Sequence, residues 1–119
     1  MHHNKKIVYR GADVPFSINV NSLLEFQKSF DKWITTLSDL NKVGGNGWNE
    51  VSYMYLFNCF YICIHIISHA LFGIILYDQL NTKWDAFEKD TQLDSQKIRQ
   101  SIIYMEVKSI LYSEIESLQ

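Results

Sequence analysis

Between residues 51 and 77 the chain has no Asp, Glu, Lys or Arg, and that gap is its most consequential absence. A stretch so long without charge excludes a solvated helix and leaves two settings, a bilayer span or the centre of a core. An excess of one sign is missing too: 11 Lys+Arg stand against 13 Asp+Glu, a formal net charge of −2. Neither a phosphate backbone nor an anionic membrane surface meets a strongly basic partner in such a chain, so nucleic-acid binding is not expected. Proline occurs once, as Pro15, and no internal repeat, low-complexity tract or linker interrupts the 119 residues. That length fits one domain, 1–119, able to bury a real core without metal or disulfide staples.

Cysteine is equally scarce. Cys59 and Cys63 are the only two, and both lie in the uncharged stretch. Four residues apart, they share one helical face and rarely reach disulfide geometry from an intact helix. They read as small buried hydrophobes in a reducing compartment. A thiol nucleophile would need a neighbouring base and an electropositive setting, which this stretch does not supply. The start, Met1-His2-His3-Asn4-Lys5-Lys6, leads into an apolar segment too brief for a signal-peptide core, so the expected compartment is the cytoplasm.

What is present falls into a short β part and a long helical part. Lys5-Lys6-Ile7-Val8-Tyr9-Arg10 and the alternating Phe16-Ser17-Ile18-Asn19-Val20 flank Gly11-Ala12-Asp13-Val14-Pro15, which has turn chemistry. A hairpin over 5–20 is marginal alone and has to lie on helices or pair with another chain's edge. Ser22-Leu23-Leu24-Glu25 has capping-box order and opens a helix over 22–43. Leu23, Phe26, Phe30, Trp33, Leu37 and Leu40 then alternate in steps of three and four, one amphipathic seam, and Gly44-Gly45-Asn46-Gly47 ends it. Those glycines follow a helix and lack a Lys-Ser/Thr ending, so they do not read as a phosphate loop.

A central hydrophobic helix is expected over 50–80, broken at Gly73 or at Asn81-Thr82 because an unbroken one would outrun a compact domain. Thr82 would cap a short helix over 82–90 carrying Trp84 and Phe87, and Asp94 or Ser95 would cap a last helix over 95–118. The expected fold class is mainly α with α+β character: a compact bundle of three to four helices around the central one, with a short N-terminal β-hairpin.

Projected at 100° per residue, the central helix has three faces. Leu56, Phe60, Ile64, Ile67, Leu71 and Ile74 form an apolar one; Ser52, Cys59, Cys63 and Ala70 form a stripe of small side chains. The third is polar at its centre, with Asn58, Tyr61, His65 and His69 flanked by Met54, Ser68 and Phe72. Tyr, His, Asn, Met and Phe together suit an interface core, so Met54, Asn58, Tyr61, His65, His69 and Phe72 are the candidate partner-binding residues, with Trp48 of the glycine turn. The same stripe equally suits packing against the protein's own elements.

No catalytic constellation is legible and no cofactor is expected. The leading expectation is a small non-enzymatic module that binds another protein and inhibits or escorts it, in the manner of an immunity protein, an antitoxin, a phage anti-defence inhibitor or a chaperone; a homodimer is compatible with it. The Ile-, Asn-, Lys- and Tyr-rich composition points to an AT-rich bacterial or phage genome. Two alternatives stay open. One is a single-span membrane protein with 51–77 in the bilayer, against which stand the mid-depth histidines and the lack of a one-sided basic flank. The other is a metal- or haem-binding bundle using His65 and His69, for which matched further ligands are missing.

Overall fold

Ser22 starts the first helix as its sequence dictates. In the computed structural model, which describes residues 5–42, 50–93 and 102–118, its hydroxyl accepts the Glu25 N–H at 3.1 Å and its carbonyl accepts the Phe26 N–H at 2.9 Å. Two first-turn donors are thereby satisfied, and α1 runs Leu23–Lys42 with Lys42 against the negative end of its dipole. Phe26, Phe30, Leu37 and Leu40 of the seam are buried, and Trp33 is half-buried. Leu23, expected on the same seam, is exposed.

The two strands form as their alternation requires: β1 (Lys6–Tyr9) pairs antiparallel with β2 (Phe16–Asn19), Ile7 opposite Ile18 and Tyr9 opposite Phe16. These four side chains point inward and are buried. The turn places Ala12 and Asp13 in the left-handed region and closes with the Val14 N–H on the Gly11 carbonyl at 3.1 Å. A side chain at Gly11 would come within 2.8 Å of the Tyr9 hydroxyl, so glycine allows that close approach. Along the outer edge of β2, the Trp33 indole N–H donates to the Ser17 carbonyl at 2.6 Å and the Asn19 N–H donates to the Ser29 hydroxyl at 3.3 Å. Helix α1 thus closes the edge of β2 with its own side chains, the protection that an edge strand needs.

The uncharged stretch is helical but not uniform. Helix α2 (Glu50–Ile62) passes into a π-helical turn (Cys63–Ile67), in which the Ser68 N–H donates to the Cys63 carbonyl five residues back, and then into α3 (Ser68–Phe72). The break falls at Gly73, with φ 93° and ψ −179°. Beyond it α4 (Ile74–Thr91) is one helix, not the end of a 50–80 helix followed by a separate 82–90 helix. Thr82 caps nothing: its hydroxyl donates to the Asp78 carbonyl at 3.1 Å inside α4, a bond that lets a threonine sit in a continuous helix. Left-handed Gln92 ends α4, its N–H on the Glu88 carbonyl at 2.7 Å. Helix α5 covers Ile102–Leu118, while the expected caps Asp94 and Ser95 lie outside the described residues.

Ring contacts set the directions. Phe26 meets Phe72 and Phe30 meets Phe60, so α1 runs antiparallel to α2 and α3. Trp84 reaches back to Phe57 and Phe60 while Tyr77 meets His69, so α4 does the same from the other side of Gly73. On α5, Tyr104 meets Tyr61 and Glu106 meets Tyr55, a third antiparallel neighbour, and Tyr9 of the hairpin stacks on Tyr55. Enclosed by these elements, residues 56–64 are buried without interruption. The fold is a mainly α bundle around a central hydrophobic helix with an N-terminal hairpin. Val51–Phe72 is long and apolar enough to cross a bilayer, yet 61% of its most apolar window is buried inside the fold.

Three separate faces on that helix do not survive folding. Leu56, Phe60, Ile64 and Ile67 are buried as expected, but Leu71 is half-buried, and Ala70 and Ile74 are exposed. A constant 100° projection fails past Cys63, because a π turn holds more residues per revolution and Gly73 then redirects the chain.

Candidate functional site, an aromatic and histidine cluster between helices

Six rings gather where α4 and α5 close over the π turn. The Tyr61 ring lies 4.2 Å from the His65 imidazole at 31°, and His65 Nδ1 shares a 3.2 Å hydrogen bond with the Tyr77 hydroxyl. Trp84 meets His65 edge-on at 6.1 Å and Tyr61 at 5.9 Å; Tyr104 meets Tyr61 at 6.3 Å, and His69 meets Tyr77 at 5.8 Å. The π turn is what brings His65 under Tyr77 while His69 stays beside the same ring. Edge-to-face geometry of this kind adds about 0.5–1.5 kcal/mol per pair beyond area burial.

Exposure divides the expected partner face. Asn58 and Tyr61 belong to the core, at 0% and 8% exposed. The Asn58 amide donates to the Met54 carbonyl at 2.7 Å, and its Oδ1 is buried without a hydrogen bond among the described residues. Met54, His65 and Phe72 are half-buried and only His69 is exposed, so these residues do not share one open surface; Trp48 lies outside the described residues. Tyr77, Trp84 and Tyr104 are the members that sequence reasoning missed. Tyr77 lies twelve positions on from His65, beyond the break at Gly73, and no helical period links them.

For a metal the arrangement offers little. His65 and His69 share Tyr77, and no group of three or more His, Cys, Asp or Glu side chains converges among the described residues. Two of the acids of α5 are engaged elsewhere: the Tyr55 hydroxyl donates to Glu106 at 2.7 Å, and Arg10 pairs with Glu114 at 2.7 Å. Burial pushes the Cys59 and Cys63 thiols far up, with Cys63 adding to the shift at Cys59, so neither is a nucleophile or thiolate ligand near neutral pH. Burial also raises the Tyr53 phenol to about 12. The hydrogen bond to Glu106, then burial, raises that of Tyr55.

No protein-family model, curated protein or solved structure matches this chain. Its surface carries a second feature. Leu24 is 59% exposed, Ile74 56% and Ile75 75%, with Leu23 close behind. Along the parallel pair α1 and α4, Asp31 pairs with Lys83 at 2.9 Å, 52 residues on, and Ile34 and Thr35 share a shallow groove with Lys83 and Phe87. Carried back two turns, this register sets Leu23 level with Ile75 and Leu24 level with Leu76, at one end of the molecule. Their sequence signal was ambiguous, since Leu23 reads as seam and Ile74 and Ile75 as interior of an uncharged helix.

Proposed function

We propose that the chain is a small non-enzymatic protein-binding module of the cytoplasm, which inhibits or escorts a macromolecular partner. The observation that carries the reading is the apolar end built from Leu23, Leu24, Ile74 and Ile75. Isolated exposed aliphatic residues are ordinary, but four at one end, three of them past half exposure, form the kind of patch that a protein partner covers. Burying one such isoleucine is worth about 1.5–3 kcal/mol, so a charge there opposes association strongly. An immunity-protein, antitoxin or anti-defence role in a bacterial or phage setting fits a compact module of this kind.

The test is capture from a lysate of the native host by the tagged full chain, comparing wild type with Leu24→Asp/Ile75→Asp. Both positions are exposed, so circular dichroism and thermal unfolding should hold. Loss of a specific captured protein supports the reading, and capture unchanged by both charges overturns it.

A further inference from the structure

A groove of about 490 Å³ lies between the outer face of the hairpin and α1. Its chemistry differs from that of the apolar end. Lys6 enters it from β1 and Lys32 from α1; neither makes an ion pair among the described residues, and none of the lining residues is acidic. Two lysines from separate elements therefore line one concavity with no ion pair to a carboxylate among the described residues. The hydroxyls of Ser17, Ser29 and Thr36 line it as well. Ser29 accepts the Asn19 N–H and keeps its own proton to donate, whereas Thr36 donates to the Lys32 carbonyl at 2.9 Å and is left as an acceptor.

Trp33 supplies the wall. Its N–H is tied to the Ser17 carbonyl at 2.6 Å, and Phe16, itself buried, packs against the ring at 5.0 Å and 39°. Phe16 holds one side of the indole while the half-buried remainder lines the groove. The ring is thus fixed before any ligand arrives, which lowers the ordering cost of stacking on it. A flat apolar wall, unneutralised cations and hydroxyls of both polarities, in a volume typical of small-molecule sites, define a ligand that is planar at one end and anionic at the other.

We propose that this groove binds a small planar anion of the mononucleotide class, with its ring against Trp33 and its phosphate met by Lys6 and Lys32. A neutral nucleoside satisfies only the wall, and inorganic phosphate only the lysines. Stacking on a half-buried indole and two solvated cations give modest affinity, a Kd of about 0.1–1 mM.

The experiment is an NMR titration of the ¹⁵N-labelled full chain with AMP, adenosine and inorganic phosphate, read at the Trp33 indole N–H and the backbone amides of 16–19 and 29–36. AMP should shift these resonances more tightly than either half. Lys6→Ala/Lys32→Ala should weaken AMP about tenfold or more while leaving adenosine unchanged. Trp33→Phe should weaken AMP and adenosine alike; should that variant lose its fold with the bond to Ser17, the lysine pair, on exposed side chains, still decides. No saturable shift by about 10 mM AMP, or AMP binding unchanged in the double lysine variant, overturns the proposal.

Discussion

Replacing Gly73 by alanine tests the break in the central helix through the sign of its effect. A Cβ built at Gly73 meets nothing within 4 Å, so the substitution creates neither a clash nor a packing contact. All of its cost in the folded state is torsional. With φ 93° and ψ −179° the residue sits in a region that is essentially reserved for glycine, worth about 1–3 kcal/mol to any other side chain. Loss of unfolded-chain freedom returns about 0.4–1 kcal/mol. The net is a destabilisation of about 1–2 kcal/mol. If residues 50–91 formed one continuous helix, the same exchange would stabilise it by about 1 kcal/mol. Urea unfolding followed by tryptophan fluorescence separates the two, because at an m-value of about 1.5 kcal/mol/M the first predicts a midpoint about 1 M lower and the second a higher one. A midpoint that is unchanged or raised refutes the helix–glycine–helix geometry and, with it, the pairing of His65 and Tyr77.

Other expectations follow from the packing. Trp84→Ala, which removes a ring touching Phe57, Phe60, Tyr61 and His65, should cost about 3–5 kcal/mol in denaturant unfolding. Ser22→Ala should cost about 1 kcal/mol through the lost cap on Glu25, and Ser22→Gly only a few tenths. Lys83→Ala should change stability by less than about 1 kcal/mol, since its pair with Asp31 is roughly half exposed on both sides. Stability should fall in alkali. Burial holds both thiols protonated in the folded state, so the unfolded chain releases its protons first, from about pH 8.5 upward. Two such groups give a loss of up to about 2.7 kcal/mol per pH unit until their folded values are reached, with Tyr53 adding to it above about pH 10. Cys59→Ala/Cys63→Ala should flatten the slope between about pH 9 and 10, and an unaltered slope would show that the thiols are not its source.

Local signals were legible and long-range ones were not. The cap at Ser22, the hairpin turn at 11–15 and the seam through Phe26, Phe30, Leu37 and Leu40 follow from spacings of a few residues, and the structure has them. The uncharged stretch also reads correctly as a core helix, because a chain of this length has nowhere else to bury it. Gly73 against Asn81-Thr82 was undecidable from propensity, since Thr82 suits a cap and a helix interior alike, and only the antiparallel return of Trp84 onto Phe57 selects the glycine. The π turn left no trace in Cys63-Ile64-His65-Ile66-Ile67. The faces assigned beyond it inherited a rotation that the sequence does not encode locally. Asn58, read as a candidate partner-binding residue on a face that could equally pack inside, is buried: its amide finds the Met54 carbonyl one turn back, so the side chain satisfies part of its polarity within its own helix.

The sharp turn at Gly73 has a consequence for the backbone as well as for direction. Helix α4 begins there with no side-chain hydrogen bond at its cap and no acidic residue in its first turn, and its first backbone bond is the Tyr77 N–H on the Gly73 carbonyl, so the N–H groups of Ile74, Ile75 and Leu76 have no acceptor within the helix and are left to solvent or a partner. They belong to the turn that carries the exposed Ile74 and Ile75. Any surface that excludes water from those isoleucines also strips the acceptors from the helix start, at about 1–3 kcal/mol per unreplaced bond. Greasiness alone would therefore make a poor fit at this end. A tight-binding counterpart needs oxygen atoms, from carboxylates or backbone carbonyls, set within its apolar contact.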